Sequence, residues 1–474
     1  MDFGKMTIDE YVKGIKSKKF ATTDAVKTFV DKCKADKKNA VLEVFNSWSE
    51  RAKEIDKMIA DGEDPGELAG VPIIIKDNIW YKGHKCAAGS KMLQDFIAPQ
   101  SAYVVRLLLK AGAVIIARSN MDEFGMGSTG RNSAFGPTLN ALSDKHVAGG
   151  SSSGSAVALA LGYCLAALGT DTGGSMRCPA AYNGIVGMKP SYGVISRYGV
   201  MAYAGSIEQV GVFGKNVEDT LTVLKQIRGH DTYDMTTVHK KLEDKKFDIK
   251  KLKIGRIKEV WDGYKSSPYF PIYENIFTTF KKAGAQIVDI SISNLSLALP
   301  AYYIISCTEA ASNMSRLDGV RYTKAVDSES LDELYVNSRT KYLGEEVKRR
   351  IMLGNFLACA GHESSELYKK AKMVQSHVAQ EIAHAFEQCD TILMPSMTGE
   401  ATLLDQDKSD PVAEYLADLF TVPSNIAGIP TISIPCGVGV NKLPLGLQIL
   451  TQKYNGGLMF DIAKWFEKSQ KEAR

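Results

Sequence analysis

Two hydrophobic periods alternate along this chain. Val26, Phe29, Val30 and Cys33 recur at helical spacing, as do Phe45, Trp48, Ala52, Ile55 and Ile59, a face closed by Asp61 and Gly62. Thr7 followed by Glu10 is a capping-box pattern, so residues 7–60 read as helices packed against a larger body. From Gly70 onward the apolar runs shorten: 71–75 reads as a strand, 102–110 as a helix and 113–117 as a strand. The apolar segment 155–169 (SAVALALGYCLAALG) reads as one helix buried inside a domain, too short to span a bilayer. Strand and helix alternate again near 253–257, 277–283 and 287–292. This order predicts an α/β fold with a large mixed β-sheet covered by helices on both faces.

Length changes that picture little. The 474 residues exceed an ordinary domain, yet an α/β enzyme of this size forms one unit. We therefore expect a single domain over 1–474, with a helical part at 1–65, a core segment at 66–215 and the remainder at 216–474. The 58 basic and 54 acidic side chains nearly balance, which argues against a dedicated nucleic-acid binder and leaves room for a minor RNA contact. Eight cysteines, Cys33, Cys164 and Cys436 among them in apolar runs, show no CxxC and no zinc spacing. They read as reduced core residues of a cytosolic protein, with no metal site. Neither an N-terminal signal core nor an 18-residue apolar run is present. The lysine-rich stretch 238–253 reads as a solvated surface connection.

Candidate chemistry gathers at the ends of the 155–169 segment. AGGSSSGS precedes it at 148–155 and GTDTGGSMRCPA follows at 169–180, so hydroxyl-bearing loops flank a buried element. That pairing disfavours a flexible Gly/Ser spacer, which needs no buried partner. Residues 150–154 also fit the G-x-S-x-G elbow, with Ser152 as nucleophile. That alternative requires a strand before the turn, and 140–147 makes a poor one.

Together with Lys76 in GVPIIIKDN (70–78), these two loops resemble the three catalytic segments of the amidase signature family. The resemblance implies that family's fold and a Ser-cisSer-Lys triad, with Ser175 as nucleophile, Ser151 as a bridging serine held by a cis peptide and Lys76 as base. A serine attacking an amide must lose its proton to a nearby base. The seven histidines read as lying away from these loops, so Lys76 is the plausible base, and burial behind 71–75 must lower its pKa. Thr172, Gly173, Gly174 and Ser175 offer backbone N–H groups for an oxyanion hole.

Three further segments, 196–211, EEVKRRIMLG at 345–354 and 425–437, are similar to the A subunits of tRNA-dependent amidotransferases within that family. This similarity implies glutamine hydrolysis that supplies ammonia for converting Glu-tRNA(Gln), and also for Asp-tRNA(Asn) in some enzymes. It implies Arg350 and Asp418 as readers of the substrate's α-carboxylate and α-ammonium, with Ser128 as a further substrate contact. Arg349 is the competing reading for the carboxylate ligand, and a nearby lysine for Asp418. No G-x-x-x-x-G-K-[ST] loop occurs, GVFGKN at 211–216 being the nearest approach. No cofactor is therefore expected in this chain; the resemblance implies that a GatB-like subunit carries ATP, Mg²⁺ and the tRNA, with a small GatC-like chain at the interface. A stand-alone amide hydrolase and a catalytically silent scaffold are the alternatives. Three positions depart from the family pattern: Ser153 replaces a glycine, Cys178 a glutamine, and Gly130-Arg131 a single glutamate. If the glycine at 153 required a positive φ, serine there costs on the order of 1 kcal/mol.

Overall fold

The computed structural model describes residues 2–240, 247–358, 364–405 and 415–472. Eleven strands among them form one sheet: β1 (Val41–Val44), β2 (Pro72–Lys76), β3 (Val114–Ser119), β4 (Ala166–Asp171), β5 (Val186–Lys189), β6 (Gln209–Gly214), β7 (Lys253–Ile257), β8 (Gln286–Ile290), β9 (Thr391–Pro395), β10 (Thr431–Val438) and β11 (Pro444–Thr451). Their order is β1-β3-β2-β4-β6-β5-β10-β11-β9-β7-β8. β3, β2 and β4 run parallel, as do β9, β7 and β8, while the pairings from β4 through to β9 are antiparallel.

Side chains alternate between the two faces of a strand. Every residue of β2, β3, β4, β5, β6, β9 and β11 is buried, so both faces of the sheet are covered. The helix Arg177–Asn183 packs on β5, β10 and β11, and the C-terminal helix Gly456–Glu472 packs on β10 and β11. One apolar cluster runs from Ile8 to Phe466. The capping box is formed: Thr7 Oγ1 accepts from Glu10 N at 3.2 Å and Thr7 N donates to Glu10 Oε2 at 2.9 Å.

The 155–169 segment is not one helix. A helix covers Ser153–Ala160, Gly162 turns the chain at φ +71°, and 166–171 is β4 at the heart of the sheet. An apolar run carries no period that separates a buried helix from a buried strand, and this run contains both. The strand places 169–171 on the sheet itself and 172–175 in the loop at its carboxyl end, instead of beyond a helix end. Seven cysteines are buried and free, while Cys359 lies outside the described residues. Part of the 238–253 stretch, 241–246, also lies outside them. No helix among the described residues is long and apolar enough to cross a membrane.

Candidate active site

β2 and β4 run parallel with Ile75 beside Leu168, so Lys76 ends β2 next to the last residues of β4. Ligands of α/β sheets gather at such carboxyl ends of parallel strands. Lys76 is fully buried. Its Nζ lies 2.7 Å from Ser151 Oγ, 3.0 Å from Ser152 Oγ and 2.9 Å from Thr170 Oγ1. Burial lowers the amine from its ordinary 10.5 to about 7, against the carboxylates of Glu208, Asp122 and Asp171, which favour the ammonium. An amine poised there can hold or give up a proton at neutral pH.

The 148–152 loop brings Ser151 and Ser175 together. The Ser151 N–H donates to Ser175 Oγ at 3.1 Å. The peptide bonds of the described residues are all trans, against the cis bond that the resemblance implies. Gly149 and Gly150, at φ +82° and +56°, turn the chain instead. A Cβ on Gly150 would stand 2.6 Å from Pro179 Cδ and 3.1 Å from Ser175 Cα, so only glycine allows this approach.

Asp171 fixes the loop that carries Ser175. Its carboxylate accepts from Gly174 N and Met176 N, both at 3.0 Å, and pairs with Arg177 at 2.8 Å. Burial raises the Asp171 carboxyl, but Arg177, Lys189 and the Asn425 amide outweigh it and hold the group at about 2. Of the expected oxyanion donors, the Gly174 N–H is committed to Asp171, three residues upstream. Ser152 does not take an elbow nucleophile's position. Its hydroxyl points back into the sheet, donating to the Thr170 carbonyl at 2.9 Å. His146, near in sequence, has its Nδ1 2.7 Å from Ser143 Oγ.

Arg350, Asp418 and Ser128 come together through Tyr303. Asp418 Oδ2 accepts from Ser128 Oγ at 2.9 Å and from Tyr303 OH at 3.0 Å. The Arg350 guanidinium lies over the rings of Tyr203, Tyr303 and Tyr415, 5.4 to 5.7 Å from their centroids. Its Nε donates to Glu346 Oε1 at 2.7 Å, one helical turn earlier. Burial opposes the Arg350 charge, but Tyr203, Glu346 and Tyr303 more than offset this and keep it protonated. Burial raises Asp418 to about 6, against its two hydroxyl donors and Arg350. Arg349 is half-exposed and pairs outward with Glu346, which leaves Arg350 as the buried cation. The partners of Asp418 are hydroxyls, not a lysine. Glu346 sits at helical i−4 from Arg350, a signal present in the sequence; Asn78, Thr170 and Tyr203 lie inside the segments 70–78, 169–180 and 196–211 without being singled out there, and Tyr303 and Tyr415 carry no signal short of the fold.

The Amidase family profile matches residues 24–459. The chain belongs to the amidase family. Among its relatives, the A subunit of glutamyl-tRNA(Gln) amidotransferase from Caldanaerobacter subterraneus subsp. tengcongensis is 42% identical over 479 residues, covering 99% of this chain and 98% of that one. The protein of the same name from Thermoanaerobacter pseudethanolicus is also 42% identical, with 99% and 98% covered. The crystal structure of the glutamyl-tRNA(Gln) amidotransferase A subunit from Thermotoga maritima superposes with a TM-score of 0.76 at 31% identity, covering 98% and 94% of the two chains.

Against the amidase pattern, the serine at 153 is unstrained. It opens the helix Ser153–Ala160 with no positive φ. A Cβ on Gly130 would stand 2.6 Å from Ser153 Cβ, so the glycine at 130 makes the room that the serine fills. Cys178 packs with Val147, Ala181, Tyr182 and Met397, its Sγ 3.8 Å from the Ser128 carbonyl. A glutamine there would bring a polar amide into this small apolar cluster.

Proposed function

We propose that this chain is the glutamine-hydrolysing A subunit of a glutamyl-tRNA(Gln) amidotransferase, with Ser175 as nucleophile, Ser151 as relay and Lys76 as base. One observation carries the reading: a buried Lys76 Nζ within 2.7 Å of Ser151 Oγ, on the residue whose N–H holds Ser175 Oγ. In this reading Ser175 Oγ bonds to the side-chain carbonyl carbon of glutamine. Its proton moves to Ser151 as the Ser151 proton moves to Lys76. The N–H groups of Thr172, Gly173 and Ser175 receive the oxyanion. The C–N bond then breaks, the proton returns along the same path to the leaving nitrogen, and ammonia departs. Water attacks the γ-glutamyl ester by the reverse route, giving glutamate and free Ser175. Asp418 faces the α-ammonium, with Ser128 beside it, and Arg350 faces the α-carboxylate.

Activating the carboxylate of glutamyl-tRNA takes ATP, for which this sequence has no phosphate-binding loop. ATP, Mg²⁺ and the tRNA therefore belong to a GatB-like partner, with a GatC-like chain beside it, in a cytoplasmic complex. The test is isolation of the native protein and identification by mass of what accompanies it, followed by assay with glutamine, ATP and glutamyl-tRNA(Gln). Two further subunits and partner-dependent transamidation are expected. Stoichiometric ATP hydrolysis by this chain alone contradicts the reading, as does a solitary chain that hydrolyses other amides and leaves glutamine intact.

A further inference from the structure

Three hydroxyls surround one amine, and only one of them belongs to the triad. A neutral amine has two N–H donors and a single lone pair, so the arrangement must select which hydroxyl gives up its proton. The Ser152 proton is already engaged, because Ser152 Oγ donates to the Thr170 carbonyl at 2.9 Å. Ser152 can therefore only accept from Lys76, at 3.0 Å. That leaves Ser151 and Thr170 to compete for the lone pair, at 2.7 and 2.9 Å.

Asn78 bears on that competition. It stands two residues past Lys76, is 1% exposed, and its carboxamide meets Thr170 Oγ1 at 3.2 Å. As placed, Nδ2 faces Thr170 and the buried Oδ1 has no partner. Thr170 Oγ1 accepts the Asn78 N–H on one lone pair and the Lys76 N–H on the other, so its own proton is turned away from the amine. With Ser152 and Thr170 each accepting an N–H, the amine's lone pair faces Ser151 alone.

We propose that Asn78, Thr170 and Ser152 are positioning residues that reserve the lone pair of neutral Lys76 for the Ser151 hydroxyl. The inference rests on the triad reading above and deepens it. It assigns these three side chains an effect on the chemical step with none on substrate binding.

The experiment compares glutamine hydrolysis by the full chain, isolated with its co-purifying partners, in wild type, Thr170→Val, Thr170→Ser, Asn78→Ala and Ser175→Ala. Thr170→Val is expected to lower kcat at least tenfold with KM within twofold of wild type. Thr170→Ser, which keeps the acceptor, should stay within threefold of wild type. Asn78→Ala should lower kcat three- to tenfold, again with KM unchanged. A Thr170→Val kcat within twofold of wild type overturns the proposal, as does a Thr170→Ser enzyme as slow as Thr170→Val. Should Thr170→Val fail to fold, Thr170→Ser against Thr170→Ala decides the same question, and Asn78→Ala tests it independently. Ser175→Ala separates the two levels. If it stays active, the triad reading fails; if it is inactive while Thr170→Val is not, only the positioning role fails.

Discussion

Asp171 and Arg177 form a fully buried ion pair, 2.8 Å between Oδ1 and NH2, that braces the chain on both sides of Ser175. Arg177 extends the brace to the Thr421 carbonyl, Ser424 and Gln448, so the Ser175 loop and the segment carrying Asp418 share one hydrogen-bonded anchor. Removing one partner of a buried pair strands the other and costs about 3–5 kcal/mol. Asp171→Ala is therefore expected to lower unfolding stability by about that amount, as measured by chemical denaturation. The wild-type carboxyl is held at about 2 against an ordinary 3.8. Its contribution is thus present above about pH 4 and lost as pH falls through about 2, a loss Asp171→Ala should not show. Equal acid sensitivity in both proteins would contradict the role given to this pair.

In the proposed mechanism the Lys76 amine sets the pH dependence of the chemistry. Burial brings it to about 7, and its neutral form is the base, so kcat/KM for an uncharged amide should rise with pH through about 7 and level off above. An ordinary lysine would place that rise near 10.4. Lys76→Ala should abolish the limb along with the activity. A profile flat from pH 6 to 8 would remove Lys76 from the role of base.

Arg350 and Asp418 make a separate prediction about specificity. Lysine at 350 keeps the charge but loses the planar fork that pairs two ways with a carboxylate. Arg350→Lys should reduce kcat/KM for glutamine by about 2 kcal/mol, roughly thirtyfold, and leave a simple amide without α-groups almost unaffected. Asp418, raised to about 6, must be ionised to meet an ammonium. The KM for glutamine should therefore fall as pH rises through about 6. Equal losses on both substrates would mean that Arg350 supports the fold and does not read the substrate.

Legibility divides along the range of the interactions. Lys76 is readable because a lysine ending an apolar strand and two Gly/Ser loops are local patterns; the pairing of β2 with β4 is not, since the sequence offers no strand at 166–171. The 155–169 segment misleads because the turn at Gly162 joins a helix to a strand that are both apolar all round. The Gly174 N–H suggests an oxyanion donor because nothing local shows that Asp171 folds back to accept it; an aspartate three residues before a glycine pair is at best a turn signal. The three tyrosines around Arg350 come from positions 203, 303 and 415, and only the fold joins them. Ser153 and Gly130 look like two unrelated departures along the chain, since their contact spans 23 residues and two loops.

The central claim is that Ser175 attacks the amide. Its most direct test is ammonia release from glutamine by wild type and Ser175→Ala, paired with a hydroxyl-directed covalent trap and mapping of the labelled residue. Loss of the attacking oxygen should cost several orders of magnitude in rate, with the label on Ser175 in wild type and absent from the variant. Activity within tenfold of wild type in Ser175→Ala, or a label on Ser152, would contradict the account.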